Sequence, residues 1–278
     1  VVGYLPAAQH RRYDELAKDW LALLDQEDLP TDYALEPLMR LTGLHVVLYM
    51  LERAAEIGDQ AQVAPFLLEM ISTGTNAVRK LSIEQFHVHR HATRAALRAY
   101  VEGIRQTDAW RDAQRAEKPK AATAELLKER FLWKDGDAAK EPERQLQDLL
   151  DHALRNHGSH MGMVPGFYVQ QIGLGVRRPG AGSWYAPGDA MIEALVLANV
   201  DQPVELRQFL QALRERYRMV VGPHDARIAF GVMPVPEEQL KRNQHRFEER
   251  MRALGLLHRL SDDCAFVLNP FASATRAA

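Results

Sequence analysis

A single cysteine, Cys264, stands among 278 residues, so no disulfide can close within the chain and a reducing compartment is expected. A lone thiol is a poor nucleophile without a histidine and an orienting group, and packing as a small apolar side chain is its ordinary fate. No stretch approaches the ~18 consecutive apolar residues of a membrane span. The most apolar one, LHVVLYML at 44–51, is short and flanked by charge. The opening VVGYLPAAQHRRYDE has no charged region ahead of an apolar one, so it does not read as a signal peptide. It also lacks an initiator Met, which fits a processed product or a piece of a longer chain. A cytoplasmic setting with no membrane partner is the expectation.

Catalytic and cofactor signatures are missing as well. The chain has no GxxxxGK[ST] loop for nucleotide phosphates, no GxSxG elbow, no CxxC pair and no DxDxDG calcium loop. Gly173-x-Gly175 lacks the third glycine that a dinucleotide site needs ahead of a helix. No paired carboxylates stand out from the background of acids, and no cofactor is expected. The net charge of −2 excludes a wholly basic nucleic-acid coat but leaves room for a local basic face. Hydrophobic residues at 46% and charged residues at 26% suit a globular chain with a sizeable core.

What is present reads as mainly α, beginning with a helical bundle over residues 1–115. In 12–24, Leu16, Trp20, Leu23 and Leu24 form one apolar stripe. Pro37 stands where a first-turn proline would open a helix over 38–57. That helix is apolar around most of its circumference, so its own domain or another subunit is expected to bury it. Residues 61–72 predict a further short helix. Ser82-Ile83-Glu84-Gln85 fits a capping box with Ser82 as N-cap, opening a helix that reaches about residue 104. Composition then shifts, and EKPKAATA (117–124) with KDGDAAKEP (134–142) marks 116–142 as linker-like. Residues 143–200 hold helices and a hairpin, in which Arg177 and Arg178 precede the turn Pro179-Gly180-Ala181-Gly182 and Trp184-Tyr185 follows it.

Residues 201–271 have a recognisable order of elements. An amphipathic helix over 204–217 leads through Val221-Gly222-Pro223 to a short helix around 224–230. Pro234 and Pro236 mark a break, and a charged helix over 237–254 ends at Gly255. LLHRL, the turn SDD and CAFVL then alternate as a two-stranded hairpin, with 272–278 as a tail. Three helices and a wing, carried by the pattern GLLHRLSDDCAFVLNP, resemble the winged helix-turn-helix superfamily. The resemblance implies a winged-helix (α+β) C-terminal region after the helical bundle, and 143–200 admits a first winged unit in tandem. In DNA-binding members the third helix enters the major groove and the wing contacts the backbone. Here that helix offers Lys241, Arg242, Arg246 and Arg250 to phosphates, and Asn243 and Gln244 to base edges. Glu237, Glu238, Glu248 and Glu249 share the helix, and Asp262-Asp263 makes the wing tip acidic. Such acids suit a protein-contact or structural module.

Two other basic faces compete with the tail. Arg90, Arg94 and Arg98 recur every four residues and form one ridge. A guanidinium fork binds phosphate bidentately, but it also suits an acidic partner protein or plain solvated surface. Arg177 and Arg178 beside Trp184-Tyr185 suit a phosphate grip with base stacking, unless the aromatics anchor the hairpin on the core. Glu84, His87 and His91 share a helical face at i, i+3 and i+7 and could ligate a zinc-like ion; a polar helix face accounts for them equally. The sequence thus points to a non-enzymatic subunit that binds nucleic acid, DNA among the candidates, or bridges other protein subunits in a larger bacterial-type assembly. Homo-oligomerisation stays open. A metal-dependent enzyme using the His/Glu cluster, a pure scaffold and a winged-helix transcription regulator are the competing classes.

Overall fold

The computed structural model describes residues 9–58, 63–74, 76–261 and 264–272. The architecture is mainly α, with eleven α-helices and seven short strands among the described residues. The chain divides into two compact units, 1–49 with 64–88 and 166–278, and 50–63 with 89–165.

In the larger unit, α1 (Arg11–Leu24) opens with the His10 ring accepting from the Arg12 amide at 3.2 Å. Its buried face runs through Arg12, Asp19 and Leu23, while Trp20 and Leu24 of the expected apolar stripe are exposed. Helix α2 (Thr31–Ile57) starts before Pro37 and contains it. The proline therefore removes one bond inside the helix, to the Tyr33 carbonyl, instead of sitting at its first position. Gly43 lets α2 approach the end of α7 (Val164–Gln171), because a Cβ there would lie 2.4 Å from Ile172 Cγ2. Among the described residues α2 is the one helix long and apolar enough, by length and composition, to cross a membrane, and 56% of its most apolar window is buried in the fold. A count of consecutive apolar residues passes over it because Arg40, Thr42 and His45 interrupt the run.

Residues 63–72 are not helical, and Ser72 has a positive φ of 55°; residues 61 and 62 of the expected helix lie outside the described residues. Strand β1 (Phe66–Leu67) pairs in parallel with β5 (Met219–Val220). A short apolar run is ambiguous between buried strand and helix by periodicity alone, and Pro65 within it disfavours the helix. Leu67, Ile71 and Val78 then pack with Val220, Ala226 and Leu240 in one apolar cluster. Helix α3 (Ala77–Glu102) begins five residues before Ser82, with the Asn76 side chain accepting from the Arg79 amide at 2.8 Å. Ser82 is buried inside it, and its hydroxyl accepts from the Tyr185 amide at 3.0 Å. The apparent capping box is a helix-to-strand tie.

The hairpin β2 (Gly175–Arg178) and β3 (Gly182–Tyr185) forms in the expected place, paired Val176 to Trp184. Positive φ angles at Gly180 (75°) and Gly182 (92°) make the turn. After the buried helix α8 (Asp189–Asn199) come β4 (Val204–Glu205), α9 (Leu206–Tyr217), α10 (Pro223–Phe230) and α11 (Glu237–Ala253). Gly255, at φ 74°, ends the last helix. Strands β6 (Leu257–Arg259) and β7 (Ala265–Val267) follow, and the antiparallel order is β4-β7-β6. Asp262 and Asp263, the expected acidic tip, lie outside the described residues.

The smaller unit is built from α4 (Asp108–Arg115), α5 (Pro119–Phe131), α6 (Pro142–Ser159) and parts of α2 and α3. Trp110, Leu127, Trp133, Leu146 and Leu150 form its core. Within the segment read as linker-like, 119–131 form α5. Its charged, alanine-rich surface residues hide Leu127 and Thr123, which are buried. The buried Gln145 amide holds the segment in place by donating to the carbonyls of Lys120 (2.9 Å) and Lys140 (2.8 Å).

Candidate nucleic-acid interface

Helix α11 places most of its cations beside its own acids. Lys241 Nζ donates to Glu238 at 3.0 Å and lies 3.3 Å from Glu237; these bonds, that to Glu238 foremost, hold its ammonium above the ordinary lysine range. Arg246 donates to Glu249 at 2.6 Å, and the His245 ring sits 3.2 Å from the same carboxylate. Arg250 pairs with Asp189 of α8. Gln244 is half-buried and donates to Glu248 at 3.0 Å. Arg242 is exposed and makes no ion pair with any described residue. Asn243 overturns its expected role outright. It is 0% exposed, accepts from the Met70 amide at 2.7 Å and donates to the carbonyls of Leu68 (2.8 Å) and Val221 (2.9 Å). An amide engaged with three backbone groups inside the fold has nothing left for a base edge.

On the hairpin, Trp184 and Tyr185 are buried and anchor it on the core, which leaves no aromatic pair for base stacking. The Trp184 indole donates to the buried Glu69 at 3.2 Å, and the Arg79 and Arg178 guanidinium carbons lie 4.7 and 5.7 Å from the indole ring centroid. Glu69 also accepts from the Ser72 amide (2.8 Å) and pairs with Arg79 at 3.3 Å. Arg177 is exposed and has no ion-pair partner among the described residues.

Helix α3 differs. Residues 85–101 contain three arginines, three histidines and no aspartate or glutamate. Arg90, Arg94 and Arg98 are all exposed. Arg98 pairs with Glu102 at 3.3 Å, whereas Arg90 and Arg94 make no ion pair with any described residue. The charge of Arg94 is felt nearby: burial first, and Arg94 second, hold the His157 imidazole below its ordinary range. The His157 ring meets the Thr93 hydroxyl at 3.1 Å. Among the described residues no three His, Cys, Asp or Glu side chains gather as a metal site, and Glu84, His87 and His91 are exposed on α3.

A buried polar network escapes the reading of the sequence. Asp19 of α1 is fully buried and accepts from the Tyr217 hydroxyl at 2.9 Å, meets His45 Nε2 at 2.7 Å and pairs with Arg216. Asn199 donates to the Tyr217 oxygen at 3.0 Å, and Arg216 also reaches Glu15 at 3.2 Å. Burial, reinforced by the Asp19 charge, holds the Tyr217 phenol protonated well above its usual range. Two signals for it stand in the sequence: an aspartate three residues from Leu16 and four from Leu23, and a histidine inside LHVVLYML. The Asp19 carboxylate is satisfied on all sides and the network orders α1, α2 and α9, while the buried His45 Nδ1 has no hydrogen-bond partner among the described residues. No protein-family model matches the chain, and no curated protein matches it in sequence.

Proposed function

We propose that this chain is a non-enzymatic nucleic-acid-binding subunit that grips the phosphate backbone through the α3 ridge. The observation that carries the reading is the pair Arg90 and Arg94, exposed, one turn apart and without a carboxylate partner among the described residues. Free guanidinium groups on one helical ridge match successive phosphates, and Arg98 extends the row. Contacts of this kind hold nucleic acid without reading its sequence.

The 201–271 region is proposed as a winged-helix domain. Its support is the order α9, α10, α11, β6, β7, together with β4 closing on β7. The pairing of Lys241, Arg246 and Arg250 with acids favours contact with other protein subunits for this domain over a groove-reading role, and a place in a larger assembly follows from having two such faces on one chain.

The test is a fluorescence-anisotropy titration of the protein with labelled duplex and single-stranded DNA over a range of salt. Phosphate contacts release counterions, so log affinity should fall linearly with log salt, with a slope of about −0.9 per contact for duplex. A slope near −2 or steeper fits the ridge. Absence of binding at low salt rejects the reading.

A further inference from the structure

Helices α9, α10 and α11 and the sheet β4-β7-β6 border a cavity of about 510 Å³, within the size range of small-molecule sites. Its charges fall into two sets. Glu248 is already satisfied, pairing with Arg259 and accepting from Gln244 at 3.0 Å. Asp225 is not. It lines the cavity, is 3% exposed, and its Oδ1 accepts no hydrogen bond. The nearest cation, Arg214, brings Nε to 3.5 Å from that oxygen without hydrogen-bond alignment. Burial lifts the Asp225 carboxyl above its ordinary range although Arg214, His224 and Arg207 all surround it, as expected where donors to the charged form are missing.

The rest of the lining defines what would supply the missing donor. Arg207 and His224 are exposed cavity residues with no ion pair to any described carboxylate. Leu206 and Leu210 form an apolar wall between α9 and the cavity. A ligand that answers Asp225, Arg207 and His224 carries an ammonium for the first, a carboxylate for the other two, and a short apolar side chain; Glu205, an exposed carboxylate, also lines the cavity. We propose that this cavity binds a small zwitterion of the α-amino-acid type, its ammonium donating to Asp225 Oδ1 and its carboxylate held by Arg207 and His224. The proposal is independent of the α3 ridge and shares no residue with it.

Isothermal titration calorimetry on the full chain tests it with three probes of one shape: leucine, isoamylamine and 4-methylpentanoate. Leucine should bind, and each half-charged analogue should bind about tenfold more weakly or worse, since a charge-assisted hydrogen bond is lost. Asp225→Asn should weaken leucine about tenfold and leave 4-methylpentanoate unchanged. Arg207→Ala, an exposed substitution that leaves the core intact, should weaken leucine and 4-methylpentanoate but not isoamylamine. No heat at millimolar leucine overturns the proposal, as does equal binding of leucine and isoamylamine. Where Asp225→Asn fails to fold, Arg207→Ala decides alone: unchanged leucine affinity in that variant overturns it.

Discussion

Helices α3 and α11 each carry five lysines or arginines, yet they present different surfaces. Four glutamates share α11, and they stand three or four residues from its cations or reach them from the next turn. Two glutamates share α3, one of them at the very end beside Arg98. Side chains at i, i+3 and i, i+4 are neighbours on a helix, so an acid at that spacing answers its cation locally. Counting basic residues does not separate the two helices; counting the acids within one turn does.

In the interior of the fold, pairing is compulsory. Asp19→Ala would strand His45, Tyr217 and Arg216 around a missing carboxylate. A loss of about 3–5 kcal/mol is expected, measured by urea unfolding; a change below about 1 kcal/mol would mean that the pairing is dispensable. Asn243→Ala comes next. The substitution sits in the basic run of α11, but it removes the partner of three buried backbone groups, and about 3 kcal/mol of stability should go with it. A variant that melts like the parent would place that side chain at the surface after all.

Glu249→Gln sharpens the contrast by making α11 more like α3. It releases Arg246 and His245, with about 0.3–0.5 kcal/mol lost from the helix and a salt slope on duplex DNA steeper by about one. Unchanged binding would show that a freed cation on α11 still meets no phosphate. The smallest effect is electrostatic. Burial and Arg94 hold the folded-state pKa of His157 below 6.5, so its unfolded form takes up protons first as pH falls. Stability linked to His157 is therefore complete above pH 6.5 and is lost as pH drops through the folded value. Arg94→Ala should move that value upward, and NMR titration of the imidazole reads it. No movement would mean that the Arg94 charge is fully screened.

The sequence made the punctuated parts legible. Pro179-Gly180-Ala181-Gly182, Pro223 and Gly255 mark the turn, the start of α10 and the end of α11 where the structure has them, because those residue types act through their own backbone geometry. Parts decided by distant partners were not legible. Residues 66–67 become a strand because 219–220 lie alongside them. Ser82 resembles a cap until Tyr185 claims its hydroxyl, and α5 resembles a linker until Gln145 and the core around Leu127 hold it. On the candidate interface, the spacing of Arg90, Arg94 and Arg98 was readable from the chain. The inward turn of Asn243 had a local signal as well, Leu240 three residues before it and Phe247 four after it on the buried helical face, which the base-reading chemistry of its amide obscured.

Two double variants compared in one anisotropy series separate the helices: Arg90→Ala/Arg94→Ala on α3 and Arg242→Ala/Arg246→Ala on α11. The α3 pair should lower the magnitude of the log–log salt slope on duplex DNA by about two, while the α11 pair should change it by about one or less, since Arg246 is held by Glu249 and Arg242 has no ion-pair partner among the described residues. An unchanged slope in the α3 variant, with a loss of about two in the α11 variant, would contradict phosphate binding by α3 and return the contact to the tail.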